Sequence, residues 1–204
     1  MISFLAKGGP LIIPIVISSV LALAIFLERL VRLHQARCRD HGLIERVYAA
    51  IIRGRIDQAR KETAAEHSSV ARVLDEGLSV CCRDRRTMEN VLAHAIEQEG
   101  RRLSRYLGTL ATIANITPVT GLLGTVLGMI KAFMAIERLG GKVDASVLAG
   151  GIWEAMLTTA VGLSVALPVI VAYSYLSGRL AALESEMEEA AIWFIKAIEE
   201  REHD

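Results

Sequence analysis

The sequence predicts an all-α membrane protein with three transmembrane helices and long helices that extend into the cytoplasm. Apart from one glutamate, Glu154, three stretches of the 204-residue chain contain no Asp, Glu, Lys or Arg: Gly8 to Leu27, Tyr106 to Ile130 and Ala145 to Gly178. Each is long enough to cross a bilayer, which takes roughly 20 helical residues. The chain is 5% aromatic and has four prolines, which favours long helices over a membrane β-barrel. These stretches exclude a soluble monomer.

The first apolar stretch predicts a retained membrane anchor rather than a cleaved signal peptide. A secretory signal has an apolar core of about 7–15 residues followed by a small-residue cleavage site. Here the apolar run is longer, and it ends in Glu28, Arg29 and Arg32 without an Ala-x-Ala motif. We therefore expect it to stay in the membrane.

Basic residues predict the orientation, because short segments rich in Lys and Arg stay in the cytoplasm. The segment from Glu28 to Arg105 holds 16 Lys and Arg against 12 Asp and Glu, whereas the N-terminal tail offers only Lys7. We therefore expect the N-terminus outside and the C-terminus in the cytoplasm. In chain order, the predicted segments are an outer N-terminus at 1–8, a first transmembrane helix at 9–28, a cytoplasmic helical loop at 29–105, a second transmembrane helix at 106–131, an outer loop at 132–144, a third transmembrane helix at 145–178 and a cytoplasmic amphipathic tail helix at 179–204.

Apolar residues at helical spacing predict helices throughout the cytoplasmic loop. The first two sets are Leu43, Val47, Ala50, Ile51 and Val70, Val73, Leu74, Leu78. Gly54 and the polar stretch at 66–69 are the expected breaks. A third set runs straight into the second span without Gly-Pro punctuation, which predicts one helix of about 45 residues; it consists of Met88, Leu92, Ala95, Ile96, Glu99 and Leu103.

The C-terminal tail also predicts an amphipathic helix that continues from the third span. Its apolar stripe consists of Leu180, Leu183, Met187, Ala191, Phe194 and Ile198. The tail is acidic, with three basic against eight acidic residues from Arg179 onward. These acids either pair with the basic loop or form an independently solvated face. The second alternative stays open because exposed ion pairs contribute less than about 1 kcal/mol.

The second span holds a cluster of glycines behind one proline, Pro118. Gly124 and Gly128 form a Gly-x-x-x-Gly pair, and Gly121 with Thr125 repeats the small-residue spacing. Such rows let helix backbones approach closely and carry helix association in lipid. Pro118 removes a helix hydrogen bond, so we expect a kink or a freed carbonyl there.

Glu154 is the one charge inside an apolar stretch. An ionisable side chain deep in the membrane costs at least about 2.5 kcal/mol by insertion scales, so we expect it to face a protein interior or a water-filled path. There it could bind and release a proton. Alternatively, the third span begins near Ala155 and Glu154 sits at the interface, since the 24 residues from Ala155 to Gly178 are enough to cross.

Three threonines complete a candidate site with Glu154: Thr125, Thr158 and Thr159. Thr158 lies one helical turn from Glu154 on the same face, and Thr159 is rotated by about 140°. A threonine hydroxyl both donates and accepts, so it can order water beside a carboxylate. In membrane helices the same hydroxyl also bonds back to its own backbone, which is the structural alternative for each one.

Two linked motifs carry a family resemblance. The first is Pro118-x-x-Gly121-Leu122-Leu123-Gly124-Thr125-Val126-x-Gly128, and the second is Gly151-Ile152-x-Glu154-Ala155-x-x-x-Thr159-Ala160-x-Gly162-Leu163 with Ala166-x-Pro168. Together they resemble the MotA/TolQ/ExbB proton-channel family, most closely its ExbB and TolQ branch. The resemblance covers residues 101–178 closely and the rest by topology.

The resemblance implies a bacterial inner-membrane stator subunit with periplasmic outer segments. Such a subunit conducts protons and couples the proton-motive force to an envelope process such as TonB-dependent outer-membrane transport. The implied partners are further copies of the chain in a pentameric ring around a central pore, two copies of a single-span ExbD- or TolR-like protein, a TonB-like protein and the surrounding membrane lipid.

Motif position also implies residue roles. Thr125 and Thr159 match the family's pore threonines, Glu154 matches its intramembrane glutamate, and Thr158 stands where many members have alanine. The second and third helices would line the pore, with the first on the lipid side. The residues expected to allow close helix packing are Pro118, Gly121, Gly124, Gly128 and Gly162.

No motif predicts an enzyme, a metal site, a cofactor or nucleic-acid binding. Cys38, Cys81 and Cys82 do not form a disulfide framework. The alternative function is a non-conducting membrane scaffold that docks a partner through its cytoplasmic helices. The glycine rows suit it equally, but the Glu–Thr group does not. A small-solute transporter is disfavoured, since three spans without an inverted repeat are not typical of that class.

Overall fold

The structure is a computed structural model that describes residues 10–37, 42–81, 83–138 and 145–203. Within these ranges all regular structure is helical, which confirms the all-α class. The helices are α1 (Ile12–Ala36), α2 (Leu43–Ile52), α3 (Ile56–Ala65), α4 (Ser69–Ser79), α5 (Arg85–Ser104), α6 (Leu107–Arg138) and α7 (Ala145–His203). Lys7, Cys38, Cys82 and residues 139–144 of the predicted outer loop lie outside the described residues.

Three of these helices, α1, α6 and α7, are long and apolar enough to cross a membrane. This confirms the predicted number of spans. Large apolar side chains on α6 are exposed, among them Val119 at 63% and Leu122 at 60%. An aqueous surface rarely carries such a contiguous apolar face, so these side chains suit lipid or a partner helix.

The chain divides into two compact units. The first comprises Met1–Leu27 and Tyr106–Tyr175, and the second comprises Glu28–Arg105 and Leu176–Asp204. Helices α1 and α7 each contribute residues to both units. The first unit holds the glycine and threonine motifs, and the second holds the short polar helices.

The second unit has an apolar core formed by α2, α4, α5 and the end of α7, to which α3 adds Ala59. All eight predicted apolar positions of its first two sets are buried: Leu43, Val47, Ala50, Ile51, Val70, Val73, Leu74 and Leu78. The predicted breaks are also confirmed. Gly54 has φ 69°, a conformation that glycine adopts without strain. The buried Ser68 accepts a hydrogen bond from the amide of Ala71 at 3.2 Å and caps α4.

The C-terminal stripe packs onto this core. Every predicted stripe residue is buried: Leu180, Leu183, Met187, Ala191, Phe194 and Ile198. At the polar edge, Arg85 pairs with Glu199, and the hydroxyl of Tyr48 donates to Glu200. Tyr48 also packs edge-on against Trp193, with 5.9 Å between ring centroids. Some acids of the tail therefore pair with residues of the cytoplasmic loop, which is the first of the two alternatives given in the sequence analysis.

The predicted continuous helix from Met88 through the second span is wrong. Helix α5 ends at Ser104, and Tyr106 turns the chain with φ 67° before α6 begins at Leu107. Arg29 holds the end of α5: its guanidinium donates to the carbonyls of Arg102 at 3.3 Å and Leu103 at 3.4 Å. These carbonyls lie in the last helical turn, where intrahelical donors run out. This buried arginine therefore caps the helix from a distant part of the chain.

Candidate functional site

In the first unit, α6 and α7 meet along two antiparallel rows of small residues, which we call the glycine seam. The seam consists of Gly121, Gly124, Gly128 and Ala132 on α6 and of Gly162, Thr158, Ala155 and Gly151 on α7. Because the rows run in opposite directions, the first residue on α6 faces the last on α7. Small residues at this spacing permit helix backbones to approach in lipid.

The middle of the seam is too tight for any side chain in place of the glycines. A Cβ built on Gly124 would lie 2.4 Å from Thr158 Cγ2, and one built on Gly128 would lie 2.7 Å from Ala155 Cβ. Carbon atoms do not approach this closely without a shift of the helices. Thr158 therefore fits only because glycine faces it.

At the end of the seam, backbone meets backbone. A Cβ on Gly162 would lie 3.0 Å from the carbonyl oxygen of Thr117 and 3.1 Å from Gly121 Cα. A Cβ on Gly121 would lie 3.2 Å from Thr159 Cα. Backbone atoms cannot rotate out of the way, so glycine is required on both helices here.

This close approach allows a hydrogen bond between the helices. The hydroxyl of Thr159, on α7, donates to the carbonyl of Gly121, on α6, at 2.7 Å. A hydroxyl that donates in this way keeps its lone pairs as acceptors. Thr159 is thus held at the seam with an oxygen that can accept a proton or a water hydrogen bond.

The other two threonines bond to their own helices. Thr125 donates to the carbonyl of Leu122 at 2.7 Å and is partly exposed. Thr158 is buried and donates to the backbone carbonyl of Glu154 at 3.0 Å. Such back-bonding is common for threonine in membrane helices. Thr158 is part of the seam and Thr159 bonds across it, whereas Thr125 and Glu154 are the chain neighbours of the seam residues Gly124 and Ala155.

Glu154 forms an ion pair with Lys131 that the sequence pattern does not predict. Its carboxylate lies 3.1 Å from Lys131 Nζ on α6, and 31% of its side chain is exposed. A cation at this distance compensates the charge of a carboxylate within an apolar stretch. The two residues are 23 positions apart, so only the antiparallel pairing of α6 and α7 brings them together.

Pro118 lies within α6, which is helical on both sides of it. The hydroxyls of Thr117 and Thr120 donate to the carbonyls of Ile113 and Ile116 at 2.7 Å and 2.9 Å. These bonds flank the position where proline lacks an amide donor. Hydroxyl back-bonds of this kind partly satisfy helix carbonyls around a proline.

The seam has three further members, Gly151, Ala155 and Ala132, that a fuller reading of the sequence could have found. Gly151 and Ala155 continue the spacing of Thr158 and Gly162 along α7, and a Cβ on Gly151 would lie 2.9 Å from Ala132 Cβ. The signal was a small residue at every third or fourth position. In the part of the chain that the structure describes, no group of three His, Cys, Asp or Glu side chains is placed to hold a metal ion.

Comparison with known proteins matches residues 61–189 to the model of the MotA/TolQ/ExbB proton channel family. This range includes the whole glycine seam, Thr125, Thr159 and the Lys131–Glu154 pair. It also includes α4, α5 and part of the C-terminal tail, so the match extends beyond the apolar helices.

Individual relatives agree with the family match. A putative biopolymer transport protein ExbB homolog from Methanothermobacter thermautotrophicus is 31% identical over 76% of this chain and 56% of its own length. The biopolymer transport protein ExbB of Pseudomonas putida is 29% identical over 91% of this chain and 59% of its own length. The Tol-Pal system protein TolQ of Haemophilus influenzae is 41% identical over 45% of this chain and 40% of its own length.

The chain thus spans about half the length of these curated relatives. The family model nevertheless covers more than half of the chain, and it includes the residues that form the seam. On this match, together with three apolar helices and an all-helical fold, the chain belongs to the MotA/TolQ/ExbB proton channel family.

Proposed function

We propose that this chain is a proton-conducting stator subunit of an inner-membrane motor of the ExbB–ExbD or TolQ–TolR type. The observation that carries the proposal is the position of Thr159, which donates across the seam to Gly121 at 2.7 Å within the family-matched region. The motor would couple the proton-motive force to an energy-dependent envelope process such as TonB-dependent outer-membrane transport. Relatives named for biopolymer transport and for the Tol-Pal system support this class of role.

The proposed proton pathway uses Thr125, Glu154, Thr158 and Thr159. Each threonine hydroxyl donates to a backbone carbonyl and keeps lone pairs that can accept from water or from a partner's acid. After the hydroxyl rotates away from the carbonyl towards a neighbouring water, its oxygen can accept an arriving proton on a lone pair and release its own proton to that water. The family's partner supplies an acid from its single membrane span.

Lys131 fits this pathway as the counter-ion of Glu154. A carboxylate within an apolar stretch is costly unless a cation or water compensates it. With Lys131 Nζ at 3.1 Å from the carboxylate, the pair would orient water next to the threonines.

The glycine seam would serve as the rigid part of the subunit. Backbone contact between α6 and α7 leaves little room for the two helices to slide, so the threonines keep fixed positions while a partner moves past them. In the proposed assembly, five copies form a ring with α6 and α7 around the pore and α1 towards lipid. Two ExbD- or TolR-like partners occupy the pore, and a TonB-like protein is driven on the periplasmic side. The N-terminus is periplasmic and the C-terminus cytoplasmic.

Reconstitution tests the proposal. The full chain is inserted into vesicles with and without its single-span partner, a pH-sensitive dye is trapped inside, and a potential is imposed. We expect proton flux only with the partner present, and we expect Glu154→Gln to alter the flux or its pH dependence. Flux and pH dependence that are unchanged in this variant would make Glu154 a structural anchor. An assembled complex without any flux would favour the non-conducting scaffold.

A further inference from the structure

The second unit contains a groove of about 470 Å³ with a basic lining. Its polar lining side chains are Arg32, Gln35, His67, Arg72 and Arg102, and we call it the basic groove. Among the described residues that line it, none is acidic. The arginines come from three different helices, α1, α4 and α5, so folding brings them together rather than chain proximity.

The local charge remains positive after the neighbouring acids are counted. Glu28 pairs with Arg29 and Arg32, and Glu99 pairs with Arg72 at 2.7 Å and with Arg102 at 3.4 Å. The three lining arginines, Arg32, Arg72 and Arg102, therefore pair with two glutamates, which leaves a net charge of 3 − 2 = +1. An anion in the groove would be attracted by this excess.

Arg32 and Arg102 keep donors available for such an anion. Arg32 reaches Glu28 through Nε, and Arg102 reaches Glu99 only through Nη1 at 3.4 Å. A guanidinium has five N–H donors, so most of them are unused on both side chains. The two side chains are 56% and 59% exposed. Arg72, in contrast, is held by Glu99, Ser69 and the carbonyl of His67, and it forms the wall of the groove.

The sequence places both available arginines close to the ends of apolar stretches. Arg32 follows Leu27, the last residue of the first stretch, by five positions, and Arg102 precedes Tyr106, the start of the second, by four. Residues at this distance from a membrane span lie at the level of the lipid headgroups, where basic side chains meet phosphates.

We propose that the basic groove binds the phosphodiester of an anionic phospholipid headgroup, with Arg32 and Arg102 as its main ligands. The planar fork of arginine matches phosphate oxygens in a bidentate manner. Gln35 and His67 add donors beside them. A zwitterionic headgroup would place its ammonium group in a site that already has excess positive charge, so the groove selects anionic lipid. This site is independent of proton conduction.

Short-chain phosphatidylglycerol, kept below its micelle concentration, tests the proposal with the full chain in an uncharged detergent. We expect saturable binding by calorimetry. Arg32→Gln and Arg102→Gln should each weaken it about tenfold, the equivalent of one charge-assisted hydrogen bond. The matched control is Arg101→Gln, which removes the same charge from the adjacent residue. Arg101 is 61% exposed and pairs with Glu97 outside the groove, so this variant should bind like the unaltered chain.

Short-chain phosphatidylcholine and inorganic phosphate complete the experiment. Weak binding of both, with unchanged thermal unfolding of the three variants, supports a site for anionic lipid. Equal loss of binding in Arg101→Gln would overturn the proposal, because it would indicate general charge attraction. Inorganic phosphate that binds as tightly as phosphatidylglycerol would also overturn it, because the ligand would then be a free anion.

Discussion

Replacement of Gly124 by alanine should loosen the contact between α6 and α7. The new Cβ would lie 2.4 Å from Thr158 Cγ2 and 2.8 Å from Thr158 Cβ. Ordinary carbon contacts begin near 3.4 Å, so the pairs fall short by about 1.0 Å and 0.6 Å. Rotation of Thr158 cannot move its Cβ, so the helices must shift. Overpacking of this kind costs about 1–3 kcal/mol.

Gly108→Ala is the matched control for this substitution. Gly108 is also on α6, and a Cβ there would meet nothing within 4 Å. Both alanines gain about 1 kcal/mol of helix propensity, so this gain cancels in the comparison. The free energies of unfolding of the two variants should then differ by the overpacking cost alone. Reversible unfolding in mixed micelles with dodecyl sulfate, followed by circular dichroism, measures this difference.

A double variant tests whether contact with Thr158 causes the loss of stability in Gly124→Ala. Gly124→Ala combined with Thr158→Ser removes the Cγ2 atom and should recover part of the stability, while the hydroxyl remains. If Gly124→Ala is as stable as Gly108→Ala, then α6 and α7 do not pack through the glycine seam. Our account of the site would then be wrong.

Three further experiments test other contacts. Ser68→Ala removes the buried cap of α4 and should destabilise the chain by about 1 kcal/mol, seen as a lower melting temperature; an unchanged melting temperature would contradict the cap. Asp84 caps α5, and its hydrogen bonds from Thr87 lower the pKa of its carboxyl. Its stabilisation is therefore complete above the ordinary carboxyl pKa and lost as the pH falls below about 4, so Asp84→Asn should reduce the loss of stability in acid. Lys131→Met and Glu154→Gln should be non-additive, with a coupling of about 0.5–3 kcal/mol in a double-mutant unfolding cycle, whereas additive effects would exclude the ion pair.

The fold was predictable where the signal is local. Helical periodicity identified the buried faces of α2, α4 and the end of α7, and Gly54 marked a break because its φ of 69° suits glycine. The break at Tyr106 escaped prediction because it carries neither Gly nor Pro. There the chain turns at a tyrosine, beside a helix end that is capped by Arg29 from 73 residues away. Nothing in the local pattern records such a distant cap.

Part of the membership of the candidate site was predictable, but its pairings and the role of Lys131 were not. Small-residue spacing identified Gly121, Gly124 and Gly128, and the charge pattern identified Glu154. Which residue faces which depends on the register of α6 against α7, and a single sequence does not encode this register locally. The bonds from Thr159 to Gly121 and from Lys131 to Glu154 therefore emerge only from the folded structure.

Proton flux through vesicles that contain the chain and its single-span partner tests the central claim most directly, with Thr159→Val compared to Thr159→Ser. Valine has the shape of threonine without the hydroxyl, whereas serine keeps the hydroxyl that donates to Gly121. We expect the valine variant to assemble with the partner, as judged by co-purification, but to conduct no protons. The serine variant should still conduct them. Normal flux through an assembled Thr159→Val complex would contradict the proposed pathway.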